Sequence, residues 1–287
     1  MMEFYLFGMT SVFYAIATGF ALFYLYSRHE RWSRWMLYFL GAGVCLHLPS
    51  FAFRLQEFWS VPANRYYVPI NSFYGALSYL ALVVALTFFV VEARHRLGIL
   101  GAFVLPWACL ASLSAVFRAC HVGNTEIYQL TPALRSYWIN IHPMMLMTAY
   151  AILGNAFGVG LAFLVQENQV KSRRPTELCY RLPAIADLED LNYHLVVFAF
   201  PILVFGILVG GIWAYGAWGR FWGWDAKEIW ALVTALVYGG YLVARAAAGW
   251  RGVKAVYISM LGFGCAVFTF VGVNFLSELH GYLSKKG

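Results

Sequence analysis

The sequence predicts an all-α, polytopic membrane protein with about eight transmembrane helices and an external tryptophan-rich loop. Three observations carry this. Hydrophobic types make up 62% of the 287 residues and charged types only 11%, against about a quarter charged in a soluble domain. The apolar residues fall into eight runs, each close to the length of about 20 residues that a spanning helix needs. Five tryptophans crowd onto one connection between two of those runs. This composition excludes a soluble globular enzyme, a disordered chain and a disulfide-rich secreted module.

The runs cover roughly 4–26, 35–53, 70–91, 98–117, 139–165, 194–215, 227–247 and 255–277. The first has no basic residue before it and leads into Arg28, Arg31 and Arg34. It therefore reads as a retained helix and not a cleaved signal. The second contains His47 and Pro49 and ends near Arg54. Arg54 stands about 10 Å beyond His47 along a helix. Between the fifth and sixth runs lies the most polar stretch, 166–192, read as a cytoplasmic loop. No run of loop is long enough for a soluble domain, so 1–287 is read as a single membrane domain.

Charge sets the expected orientation. The loops after the odd-numbered runs carry twelve Lys and Arg, and the others with the tail carry eight. The richer set should face the cytoplasm, which puts both termini and the tryptophan loop outside. The net charge of +7 is explained by these loops, so no nucleic acid is expected as a partner. The five cysteines form no C-x-x-C pair, which argues against a zinc or dithiol site. Cys120-His121 has Phe117 where a haem-attachment motif needs cysteine, so the chain is not itself a c-type cytochrome.

The tryptophan segment, Trp213 to Trp230, reads WAYGAWGRFWGWDAKEIW. Membrane-interface belts supply one or two Trp per helix end. Five on one connection, spaced by Gly216, Gly219 and Gly223, suit a flat apolar ligand such as a porphyrin. Trp213, Trp218, Trp222 and Trp224 are candidate ligand contacts, and Asp225 with Glu228 reads as a capping box opening the next helix.

Of seven histidines, three stand out. His142 precedes Pro143, a residue favoured in the first turn of a helix. His280 precedes Gly281, a common helix terminator. Both fall at outer helix ends, where they can flank the tryptophan loop and ligate haem iron. His47 lies inside an apolar run, where an ionisable group is a functional candidate. A hydrogen bond to a neighbouring helix is the alternative for it. His29 and His95 belong to basic loops, His194 to the inner interface and His121 to an outer loop. Arg54 and Arg220, with Arg118 and Arg135, are candidate partners for anionic groups on a ligand.

WAYGAWGRFWGWDAKEIWAL resembles the WWD motif of haem-handling proteins for cytochrome c assembly, and the eight-helix CcsA/ResC branch resembles it best. HLPSFAFR, VPINSFYGALSYL, YWINIHPMMLMTAYAIL and GVNFLSELHGY resemble the branch's early segment and its two external histidine segments. The resemblance implies haem b held at the outer face by His142 and His280 against the WWD loop. It implies a synthase formed with a CcsB/ResB-like membrane subunit, joining haem vinyl groups to the CXXCH thiols of an apocytochrome c. It also implies a bacterial inner membrane or a thylakoid. His47 matches the first of an intramembrane histidine pair found in some members. Val243 stands where the second is common, Gly75 where a glutamate is usual and Ala226 where proline is frequent. Two other readings stay open: a haem-binding accessory or regulatory protein without ligation activity, and a transporter using the tryptophan loop as a gate.

Overall fold

The computed structural model describes residues 2–27, 29–122, 127, 129–172 and 175–275. Among them every regular element is helical. The long helices are α1 (Met2–Tyr26), α2 (Arg31–Trp59), α3 (Phe73–His95), α4 (Gly101–Val122) and α5 (Trp138–Lys171). The short α6 (Glu177–Arg181) precedes α7 (Ile185–Trp218), α8 (Ala226–Ala247) and α9 (Val253–Phe270). All but α6 are long and apolar enough to cross a bilayer, giving the eight spans expected.

Two sets of contacts define the ends of the bundle. At one end the starts of α1, α3, α5 and α8 meet the ends of α2, α7 and α9. There the Tyr74 hydroxyl donates to Glu3 Oε1 at 2.5 Å and the Ser50 hydroxyl donates to the Glu3 carbonyl at 3.1 Å. At the opposite end Arg181 donates to the carbonyls of Tyr24 and Leu25. Arg245 of α8 there pairs with Glu189 and Asp190 of α7 and packs over Tyr193.

Helix α5 is the centre of the bundle. Against α7 it forms the most extensive helix pair among the described residues, and it also meets α3, α4 and α9. Small residues make this possible, as they do generally between helices in lipid. A Cβ on Gly158 would stand 2.7 Å from the Phe103 carbonyl oxygen, so α4 approaches α5 backbone to backbone.

The structure lengthens three helices. The second run, read as 35–53, extends to the 29-residue α2. The fifth and sixth runs, read as 139–165 and 194–215, become 34-residue helices, each about 50 Å long. The polar stretch 166–192 is therefore mostly helical, with only Ser172 to Ala184 and the short α6 connecting the two spans. Its polar side chains serve the bundle. Gln166 donates to the Cys179 carbonyl at 2.9 Å, and Asn192 donates across to Ala156 of α5 at 2.7 Å. Hydropathy ends a segment where residues turn polar, whereas here the helix continues because those residues find partners on its neighbours. His194 consequently lies inside α7, exposed, with its Nδ1 donating to the Asp190 carbonyl at 2.8 Å.

Two departures from the family pattern have structural counterparts. A Cβ on Gly75 would stand 2.0 Å from the Pro69 carbonyl oxygen, so this path of the loop before α3 admits no side chain there. Val243 is 65% exposed on α8 and faces away from the bundle.

Candidate functional site

A cavity of about 450 Å³ opens at the end of the bundle that carries the tryptophan loop, within the range of about 300–1,000 Å³ usual for small-molecule sites. Its walls come from the starts of α5 and α8, the ends of α7 and α9, and two covering segments before α3 and α5. The covering segments are held by asparagines. Asn64 Oδ1 accepts from the Leu130 N–H at 2.8 Å. Asn140 Oδ1 accepts from Val68 N–H at 3.0 Å, while its amide donates to the Tyr66 carbonyl at 3.0 Å.

His142 projects into this cavity from α5. The helix begins at Trp138, so His142 and Pro143 lie a turn further inside it than the sequence reading placed them. The imidazole rests on the backbone of α7. Its Nδ1 lies 2.8 Å from the Gly206 carbonyl, and a carbonyl can only accept. The N–H is therefore on Nδ1 and the ring lone pair on Nε2. Donation of one ring N–H to a backbone carbonyl is the usual support of a metal-ligating histidine, since it orients the ring and fixes the tautomer. The close approach needs glycine: a Cβ on Gly210 would stand 2.5 Å from His142 Cε1.

The tryptophans extend this arrangement. Trp213 lies nearly parallel to the His142 ring, at 6.2 Å and 19°. Trp218 meets Trp213 edge to face at 4.8 Å. The segment expected as a loop over 213–230 is helical to Trp218. It turns at Gly219, whose φ of 71° is left-handed, and becomes helical again at Ala226. Phe221 folds back so that its ring covers Gly211, where a Cβ would stand 2.4 Å from Cζ. Trp222 completes the wall from the loop. Trp224 is 68% exposed and meets Trp222 edge to face at 5.9 Å, outside the cavity lining.

Asp225 supports the site without lining it. Its Oδ1 accepts from the N–H groups of Lys227 at 2.8 Å and Glu228 at 2.9 Å, capping α8. Glu228 reaches back to the N–H of Gly223 at 2.6 Å. The expected capping box is present in altered form, with the glutamate bracing the loop two residues before the cap.

The other sequence candidates are elsewhere. His47 is fully buried between α1, α2 and α3, with Nδ1 3.1 Å from the Tyr14 hydroxyl and Nε2 3.0 Å from the Ser78 hydroxyl. Arg54 is 5% exposed and packs over the Tyr74 ring. Arg220 lies along Gly223 of its own loop. Arg118 packs over Phe73, and Arg135 donates to the Leu130 carbonyl at 2.9 Å. None of these lines the cavity. His280 lies outside the described residues. The five cysteines are free. Among the described residues no three His, Cys, Asp or Glu side chains converge as a metal site would require.

Sequence reading missed several wall residues: Lys227, Asn71, Tyr150 and Phe221. For Phe221 a signal existed, because the Gly210-Gly211 pair near the end of an apolar run marks close approach. The others come together only through tertiary structure.

Fold and site together define an integral membrane protein with an aromatic, histidine-bearing ligand cavity at one membrane face. Residues 70–280 match the cytochrome C assembly protein family, and the chain belongs to it. Its role lies in cytochrome c biogenesis. It is 30% identical over 255 residues to the cytochrome c biogenesis protein CcsA of Heterosigma akashiwo, covering 76% of this chain and 78% of that one. The CcsA proteins of Guillardia theta, at 31% over 232 residues, and Prochlorococcus marinus, at 30% over 247, cover similar shares: 75% and 77%, and 78% and 78%. The solved cytochrome c heme lyase CcmF shares the fold, with a TM-score of 0.67 at 13% identity over 97% of this chain and 50% of that one. The chain thus spans about half the length of that lyase.

Proposed function

We propose that this chain is the haem-binding and haem-presenting subunit of a membrane cytochrome c synthase. One observation carries the reading: His142, with its Nδ1–H held by Gly206, faces a cavity walled by Trp213, Trp218 and Trp222. The tautomer, the flat aromatic walls and the volume fit haem, which is cargo and substrate here. Neutral imidazole is a standard axial ligand of haem iron. His280 is the proposed second ligand.

The reaction adds the thiols of a CXXCH segment across the haem vinyl groups. What falls to this chain is position. Gly206 orients His142, Trp213 stacks beside it, and the capped start of α8 holds the loop over the cavity. Holding a reactant in one pose converts an encounter between three partners into a local step. The cavity then faces the extracytoplasmic or lumenal side, where apocytochrome c arrives, and a CcsB/ResB-like subunit completes the enzyme.

The test is co-expression of the chain with a CcsB-like partner and a CXXCH reporter, reading covalent haem on the reporter. Wild type should give covalent product, and His142→Ala should lower it at least tenfold. Haem bound by the chain with no covalent product in the complete system would favour the accessory reading instead.

A further inference from the structure

We propose that the Phe221 ring is a door between the cavity and the surrounding lipid, and that the ligand passes it sideways from the outer leaflet. This deepens the haem reading above and rests on it.

The faces of α7 place the door. Successive residues of a helix step by about 100° around its axis. Gly210 faces the His142 imidazole, since a Cβ there would stand 2.5 Å from Cε1. The next residue, Gly211, lines the cavity. The one after it, Ile212, is exposed, as are Leu208 and Tyr215 on the same face. An exposed apolar face on a spanning helix meets lipid. The rim of the cavity on α7 therefore borders the bilayer along Gly211.

Phe221 stands on that rim. A Cβ on Gly211 would stand 2.4 Å from Phe221 Cζ, so the tip of the ring rests on bare backbone. The side chain lines the cavity and is still 44% exposed, whereas the wall residues Trp213, Tyr150 and Phe270 are buried. One ring's thickness separates the ligand space from the outside here.

The other boundaries are built differently. Hydrogen bonds of Asn64 and Asn140 stitch the two covering segments together at the water side. Arg135 adds a bond to the Leu130 carbonyl and Trp59 one to the Tyr67 carbonyl. Toward the opposite end, Arg245 pairs with Glu189, and the Tyr241 hydroxyl donates to Asn192 at 3.3 Å, locking α8 to α7. Moving either boundary breaks hydrogen bonds. Swinging Phe221 off Gly211 exchanges one apolar contact for another in lipid. A flat, largely apolar macrocycle leaves water for the bilayer, so the outer leaflet is its reservoir.

The experiment mixes haem with the full chain in phosphatidylcholine nanodiscs. It times the growth of the ligated-haem band and its later loss to excess apomyoglobin. Phe221→Ala removes the door. Gly211→Ala keeps the ring but pushes it off its seat, and alanine suits the helix better than glycine. Both should load haem faster than wild type, by about tenfold. Asn140→Ala, which loosens the water-side cover, is the comparison. Wild-type loading rates in both door variants overturn the proposal. Faster release without faster loading also overturns it, since that makes Phe221 a wall contact. So does faster loading in Asn140→Ala alone, which puts entry on the water side. A wild type that takes up no haem overturns the haem reading, and this inference with it.

Discussion

The imidazole of His142 donates from Nδ1 to the carbonyl of Gly206 at 2.8 Å, joining the second turn of α5 to the middle of α7. This one bond sets the ring's plane, its tautomer and the atom it offers to the cavity. The bond exists because α7 presents bare backbone at that level.

Gly210→Ala tests that dependence. The added methyl would stand 2.5 Å from His142 Cε1, so the ring must move. Alanine is better than glycine within a helix by about 1 kcal/mol, so folding should not suffer. The expected outcome is a thermally stable protein whose haem spectrum is shifted and whose haem is lost more readily. A spectrum identical to wild type would show that the ring's seat on α7 is unimportant.

Trp213 should behave differently under two substitutions. It is buried and stands between His142 and Trp218. Trp213→Ala removes both contacts and should cost about 3–5 kcal/mol in stability, with loss of haem. Trp213→Phe keeps a ring beside the imidazole and should retain haem with weaker affinity. Haem titration together with thermal unfolding in detergent separates the two outcomes.

Asp225 acts through the backbone of α8. Asp225→Ala removes two capping bonds, a loss of about 1 kcal/mol, or about 2 °C in Tm. Asp225→Ser should restore most of it. If the loop's order matters to the site, haem retention will follow the same rank of wild type, Ser, Ala. Retention that ignores the cap would separate the loop from the ligand.

His47→Ala should unsettle the bundle and leave the haem spectrum in place. The substitution strips partners from the buried hydroxyls of Tyr14 and Ser78, costing about 2 kcal/mol or more. A haem band displaced in the purified variant would instead make His47 a ligand on a route through the membrane.

The fold was legible because lipid imposes one requirement on every span, and apolar length reports it directly. The ends of α5 and α7 were not legible, since Gln166, Glu189 and Asn192 are polar in sequence yet paired across helices. The site was partly legible. His142 and the tryptophan run announce themselves by type and spacing, as does the cap at Asp225. Hidden from sequence was which cation lines the cavity. The arginines stand at the same membrane face as Lys227, and only the packing of Tyr74, Phe73 and the covering loops turns them to other work. His47 illustrates the converse: an intramembrane histidine is conspicuous in sequence, and its two hydroxyl partners, 33 and 31 residues away, are not.

The central claim is that His142 holds haem in the tryptophan-walled cavity. Its most direct test is the absorption spectrum of the detergent-purified chain, wild type beside His142→Ala. The account predicts a low-spin, nitrogen-ligated haem in wild type, with its bands lost or shifted in the variant and restored toward wild type by added imidazole. A wild type that binds haem with bands indifferent to the loss of His142 would contradict it.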